Sequence, residues 1–379
     1  MLDVANDFGP FEGRVWINCS HQGPLPRVAV RAAEEAIAIK TAPHRLASSD
    51  LFNEVPVRLR ETLGRLIEVD PDEIILGNST SYGLNVLANG IRWRAGDEIV
   101  LVRGDFPATI FPWLPLRDRG VRIRFVEPTG PSITPAELEA QLTPATRLFC
   151  TTWVHSFTGY AVDERALAQI CRKRDTLFVL NASQALGCRP FNAVRTGVDA
   201  VTSCGFKWLC GPYGTGFCWI APELREAMMP TQAYWLANLT ADDLRGEFPC
   251  EIRQDLGARA YDVFCTANFM NFMPWTESVE YLLNSGIESI AAHNDALVSH
   301  LVGNVDRDSY EILSPPDGPA RSSIVVLKHR DEEQNERCFE VLKREGIDIS
   351  LRKGALRVSP HLYNTQRDIE RLLDVLNCF

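Results

Sequence analysis

The chain has 379 residues, 45% of them hydrophobic and 23% charged, and a formal net charge of -10. That length accommodates two domains or one large α/β unit with ample core, and the composition is ordinary for a soluble globular protein. The acidic balance, with no basic cluster to offset it, argues against a nucleic-acid partner, and the apolar runs are too short for a membrane span.

The N-terminal stretch MLDVANDFGPFEGR has neither a basic region nor an apolar one, so no secretion signal is expected there. Eleven cysteines are scattered from Cys19 to Cys378 without a CxxC pair. Several fall in apolar runs, where a free thiol behaves as a small hydrophobe. An odd count without a secretion signal predicts a reducing, cytoplasmic location. The seven histidines show no metal-ligand spacing, and no metal is expected.

From about residue 55, strand-like and helix-like segments alternate. EIILG (73–77) leads through NST into the helical SYGLNVLANGI, and short runs rich in β-branched residues follow at 97–102, 121–126, 147–154, 177–181 and 199–204. Between them, Thr134 and Glu137 form the pattern of a capping box, and 163–174 reads as an amphipathic helix. This alternation predicts a mostly parallel sheet with helices on both faces. Beyond about residue 270 come a long helical stretch broken near Gly286, the strand SSIVVLK, a helix, the pair DISLRKGALRVS and a closing helix. The expected division is a large α/β domain over 16–265 and a small α+β domain over 266–379, with residues 1–15 packing nearby.

The stretch SCGFKWLCGPYGTGFCWI (203–220) sets Lys207 at the end of an apolar run and follows it with glycines and a proline. On residue type alone, an exposed lysine ahead of a hairpin is the ordinary reading. The sharper one is a lysine desolvated so that its amine stays neutral and nucleophilic, as a Schiff base requires. Ser79, Thr80 and Ser81 lie between a strand and a helix. Hydroxyls and free N–H groups there can bind an anion, or simply cap the helix. Asn181 and Lys207 both fall at strand ends, where open α/β sheets bind ligands.

Taken in order, the hydroxyls of NSTS, then DFPATIFPW, NASQ, the lysine with GPYGTGF, and the closing LRVSPHLYNTQRDIERLL resemble the class V aminotransferase family of pyridoxal-phosphate (PLP) enzymes. The similarity spans nearly the whole chain and is to the branch with isopenicillin N epimerase-like proteins. Kynureninase and the cysteine desulfurases are cousins. The resemblance implies the PLP-dependent fold type I, an α/β fold with a large mostly parallel-sheet domain and a smaller C-terminal α+β domain. It implies that Lys207 is the catalytic Schiff-base lysine, that Thr80 and Ser81 hold the phosphate with Ser203 close by, and that Phe106 stacks on the pyridine ring. Gln184 would bond the ring hydroxyl with Ser156 or His155 nearby, His155 also being a candidate on the substrate side. Arg357 would clamp the substrate carboxylate, a task suited to a bidentate guanidinium. Thr266 matches a position that reaches a neighbouring subunit's phosphate, which implies a homodimer.

Three departures qualify the resemblance. Asn181 stands where the family carries an aspartate that keeps the pyridine nitrogen protonated. A neutral amide either donates to an unprotonated nitrogen or is merely tolerated. Cys204 and Phe206 replace a serine and a histidine, which thins the phosphate cup on that side. The loop before Arg357 lacks the thiol that desulfurases need, Cys338 being the nearest cysteine upstream, so persulfide chemistry is not expected. The expected substrate is an amino acid or a cysteine S-conjugate. The expected chemistry is of lyase type, either β-elimination or decarboxylation coupled to oxidative deamination. It would serve small-molecule biosynthesis, similar to the conjugate-processing enzymes of lincosamide antibiotic pathways. An aminotransferase or epimerase is the alternative, and a catalytically silent PLP-fold binding protein a third.

Overall fold

The computed structural model describes residues 2, 4–48, 50–239, 242–247, 249–264 and 268–379. The chain begins with β1 (Val15–Trp16), α1 (Arg27–Thr41), α2 (Leu51–Ile67), β2 (Ile74–Gly77) and α3 (Thr80–Gly90). It continues through β3 (Glu98–Val102), α4 (Pro107–Ile110), β4 (Arg122–Val126), α5 (Pro135–Gln141), β5 (Thr146–Thr152), α6 (Glu164–Lys173), β6 (Leu177–Asn181), α7 (Ala193–Thr196), β7 (Ala200–Cys204) and β8 (Gly216–Ile220). After α8 (Pro222–Ala227) and α9 (Trp235–Asn238) come α10 (Phe269–Ser285), α11 (Ile287–Asn304), β9 (Tyr310–Ile312), β10 (Val325–His329), α12 (Glu333–Arg344), β11 (Ile347–Asp348), β12 (Ser350–Arg352), β13 (Ala355–Val358) and α13 (Gln366–Leu376).

Seven strands form one sheet in the order β2-β8-β7-β6-β5-β3-β4, parallel except for β8, which runs antiparallel to both neighbours. A parallel sheet covered on both faces needs strands that are largely apolar, and β3, β6 and β7 are buried almost along their whole length. One face buries Leu180, Val201 and Phe217 with Leu63 of α2 and Trp275 of α10. The other buries Val179, Ala200 and Cys218 with Leu84 and Leu87 of α3. The capping box forms as expected: Thr134 and Glu137 exchange hydrogen bonds at the start of α5.

The second sheet, β12-β13-β10-β9, is antiparallel and packs with α11, α12 and α13 around Leu297, Leu301, Leu342, Leu356 and Leu372. The division between the cores differs from the expected one in two places. Phe269, Phe272, Trp275 and Val279 of α10 bury into the large core, so the second core begins only within α11. At the other end, β1 pairs in parallel with β11, and Val15 and Ile17 join the small core. An apolar helix face records that it is buried, not which of two cores buries it. No described helix is long and apolar enough to cross a membrane, and the described cysteines are free thiols.

One buried ion pair fixes the strand that delivers Ser79–Ser81. Arg60 of α2 donates to the Ile74 carbonyl and to the Asp262 carboxylate, whose other oxygen accepts the Leu76 N–H at 2.9 Å. Burial raises the Asp262 carboxyl above its usual range, against the pull of Arg60. Arg60→Met would strand that carboxyl in the core, and losing one partner of a buried pair costs about 3–5 kcal/mol. The urea-unfolding midpoint should fall accordingly, with a smaller loss in the double variant Arg60→Met/Asp262→Asn. A loss below about 1 kcal/mol in the single variant contradicts this role.

Candidate active site

The tight return from β7 to β8 places Lys207. Gly205 N–H donates to the Thr215 carbonyl (3.0 Å), Cys210 N–H to that of Lys207 (2.9 Å) and Gly211 N–H to that of Gly205 (2.8 Å). From the opposite side, Gly23 N–H donates to the Phe206 carbonyl at 2.9 Å. A Cβ on Gly23 would collide with the Lys207 carbonyl, so only glycine lets residues 18–23 lie on this turn. The lysine is 9% exposed, its Nζ 5.2 Å from the centre of the Phe106 ring and 5.8 Å from that of Phe206. Among the described residues its amine has no hydrogen-bond partner or counter-ion. Burial, reinforced by the charge of Arg357 and opposed by Cys204, pushes the amine below its usual pKa. The desolvated lysine is the one the structure contains.

A cavity of about 330 Å³ opens on this amine and gathers Thr80, Ser81, Phe106, Ser156, Asn181, Gln184 and Arg357. At its base, both readings of the hydroxyl run hold together. Ser79 caps α3 by accepting the Tyr82 N–H at 3.2 Å, while Thr80 and Ser81 line the cavity. The Thr80 hydroxyl lies 2.6 Å from that of Ser183, which also lines it. The positive end of an eleven-residue helix therefore meets three hydroxyls.

Asn181 is buried at the end of β6. Its Oδ1 accepts the Ser183 N–H at 3.1 Å, and its Nδ2 donates to the Thr109 hydroxyl at 2.9 Å. The Gln184 amide donates to the Ser20 carbonyl (3.0 Å) and the Ser156 hydroxyl (3.3 Å), and it accepts from the Trp208 indole at 2.9 Å. Arg357 donates to the Ser156 carbonyl at 3.0 Å and to Ser350 Oγ at 3.4 Å, but its buried Nε has no partner. Burial and the neighbouring Arg352 push its pKa down to about 10.

Two expected residues fall outside the cavity. Successive side chains of a strand alternate, so Cys204 lines the cavity while Ser203 turns away and donates to the Cys204 carbonyl at 3.3 Å. In the turn after β5, Ser156 faces in, whereas His155 bonds Thr158 (2.8 Å) and the Gly104 carbonyl (3.1 Å) and lines a neighbouring cavity. Thr266 lies outside the described residues.

The sequence reading passed over Ser183 and Thr109, although both lie inside quoted motifs. It also missed Ser20, His21 and Gln22, which carry no local signal and arrive through long-range contacts, the bridge of Asn18 to Ser359 and the bond of Gly23 to Phe206 among them. Burial, then the charges of Arg352, Arg357 and Lys207, lower the pKa of His21. Behind the turn, Cys19, Cys210 and His361 form a buried cluster. Both imidazole nitrogens are engaged, by the Trp208 carbonyl (3.0 Å) and Asn294 (3.2 Å), so neither is free for a metal.

Among the described residues no aspartate or glutamate lines the cavity, while Lys207, Arg352 and Arg357 do. Such a site recognises anions and presents a nucleophilic amine beside an aromatic face.

The model of the family Aminotransferase class-V matches residues 24–372. The chain is 27% identical over 380 residues to isopenicillin N epimerase of Streptomyces clavuligerus, covering 95% of this chain and 94% of the relative. It is 24% identical over 396 residues to a probable cysteine desulfurase of Methanothermobacter thermautotrophicus, covering 99% and 96%. Among solved structures it is similar to a mutant of C-DES with glycine covalently linked to the PLP cofactor (TM-score 0.89, 20% identity, 100% of each chain). A complex of the cystine C–S lyase C-DES with its product cysteine persulfide superposes with a TM-score of 0.87 at 20% identity over 97% and 98% of the chains. At these identities the solved structures show the fold. The match over almost the entire chain shows that it belongs to the class-V aminotransferase family of PLP-dependent enzymes.

Proposed function

We propose that the protein is a PLP-dependent C–S lyase that eliminates the sulfur substituent of an S-substituted cysteine. The observation that carries this reading is the buried amine of Lys207, unpaired among the described residues, sharing with Arg357 a cavity that no described acid lines. The residues present fit the cofactor. The hydroxyls of Thr80, Ser81 and Ser183 at the start of α3 suit a phosphate. Phe106 offers a ring face beside the amine, Asn181 an amide for the ring nitrogen, and Gln184 with Ser156 polar groups for the ring oxygen. The unpartnered Nε of Arg357 is left for a carboxylate.

Bound PLP supplies the Schiff base and the sink for electrons released at the α carbon. The Lys207 amine, with its lowered pKa, accepts the α proton. Arg357 holds the carboxylate, and the rings of Phe106 and Phe206 keep water from the amine. The β-carbon–sulfur bond then breaks with its electron pair leaving on sulfur. A lyase rather than a desulfurase is supported by the hairpin before Arg357. Its turn is only Lys353 and Gly354, it bears no cysteine, and Cys338 is buried in α12. The similarity in fold to the cystine C–S lyase C-DES supports the same reading. The relative named for isopenicillin N favours a place in small-molecule biosynthesis and keeps an epimerase as the second reading. The exposed aromatic Tyr213 at the cavity, 64% accessible, supports a homodimer whose second copy covers it.

The PLP-loaded protein, given S-substituted L-cysteines, should release thiol, pyruvate and ammonia in equal amounts, the same in air and under argon. Inversion at the α carbon would favour the epimerase, and an oxygen requirement the oxidative route. Arg357→Lys loses the bidentate grip. Charge-assisted hydrogen bonds contribute about 1.5–3 kcal/mol, so KM should rise about 10- to 100-fold with PLP affinity retained. An unchanged KM assigns the carboxylate to another group.

The Ser183 N–H can bond only to an acceptor, so Oδ1 of Asn181 faces it and Nδ2 keeps one N–H for the ring nitrogen. A donor there favours the unprotonated ring. With PLP labelled at its ring nitrogen, the 15N resonance should be that of an unprotonated pyridine in the wild type and of a pyridinium in Asn181→Asp. Identical resonances in the two proteins contradict this.

A further inference from the structure

The hairpin that bears Arg357 carries a second guanidinium into the same cavity. In the β12–β13 ladder Ser350 pairs with Arg357 and Arg352 with Ala355. Lys353 and Gly354 form the two-residue turn at φ of 50° and 76°, the geometry that joins tightly paired strands. Side chains alternate along each strand, so Ser350, Arg352, Ala355 and Arg357 share one face. Leu356 and Val358 bury into the small core, with Leu351 packed against it. The contact of Arg357 with Ser350 Oγ lies on the shared face, and both arginines line the cavity. They sit on diagonal positions, about 7–8 Å apart at the backbone.

Arg352 has little to hold. Its one hydrogen bond runs to the Leu351 carbonyl (3.1 Å), and it forms no ion pair with any described residue. Lys353, beside it, is engaged elsewhere, its Nζ 4.3 Å from the centre of the Phe157 ring. Among the described residues no carboxylate lines the cavity to balance the arginines. The cofactor phosphate would not call on them, since Thr80, Ser81, Ser183 and the start of α3 would hold it without a cation. One substrate carboxylate would occupy Arg357.

We propose that Arg352 binds a second anionic group on the substrate's side chain, so that the preferred substrate is an amino acid whose sulfur substituent ends in a carboxylate or an equivalent acid. This inference rests on the reading of the cavity as a PLP–amino acid site. The hairpin fixes both guanidinia on one rigid face, so the two acids are recognised at a set separation. Chain length between them then decides affinity.

The test uses S-carboxymethyl-, S-(2-carboxyethyl)- and S-(3-carboxypropyl)-L-cysteine, each beside its primary-amide counterpart of nearly equal size. Dissociation constants are read from the change in cofactor absorbance on rapid mixing with the PLP-loaded protein. At least one acid should bind tenfold or more tighter than its amide. Arg352→Gln should cut that preference below threefold, and Arg352→Lys should retain part of it. Unchanged cofactor absorbance and circular dichroism in the variants show that the site is intact. If amides match acids throughout the series, or if Arg352→Gln weakens acid and amide equally, the inference fails. The latter result would mean that both arginines grip one carboxylate. If no member perturbs the cofactor at all, the amino-acid reading of the site falls, and the second-acid inference with it.

Discussion

The amine of Lys207 is held out of water between the rings of Phe106 and Phe206, with no carboxylate among the described residues of the surrounding cavity to pair with it. An unpaired ammonium is costly to bury, and the group answers by losing its proton more readily. Much of the molecule serves to keep the amine in that position. The β7–β8 return is tied to itself by three backbone hydrogen bonds, and residues 18–23 lock it from outside. A carboxylate in the cavity would pair with the amine and hold its proton on. Asn181 keeps the end of β6 polar without adding that charge.

The same constraint orders the rest of the cavity. Hydroxyls and the start of α3 line the cavity on the large-domain side, while the guanidinia stand on one face of the small-domain hairpin. Two domains thus share the cavity. The large sheet supplies the amine and the neutral donors, and the small sheet supplies the guanidinium charge. The short contacts of Arg357 with Ser156 and of Gln184 with Ser20 couple the two halves across the cavity.

The fold was legible wherever burial is two-sided. The central strands of the large sheet are short, β-branched-rich segments buried almost throughout, and the capping box of α5 marks the start of its helix. The reversed direction of β8 has no counterpart in hydrophobic pattern, because an antiparallel strand buried on both faces reads like a parallel one. Within the site, Lys207 and Arg357 were legible through motif order. Of the pair Ser156 and His155 only Ser156 faces the cavity, and Ser203 was misplaced by a single residue, as the alternation of side chains along β7 turned Cys204 inward instead. Ser20–Gln22 were invisible, since long-range contacts, of Asn18 with Ser359 and of Gly23 with Phe206, bring them to the lysine. Local pattern fixes faces; it does not fix which distant loop closes over them.

The central claim is that Lys207 is the residue that carries the cofactor. Loading the protein with PLP, reducing it with borohydride and mapping the labelled peptide by mass spectrometry tests this most directly. The account predicts a single modified peptide containing Lys207, and no label in Lys207→Ala. Label on another lysine, or label undiminished in Lys207→Ala, would contradict it.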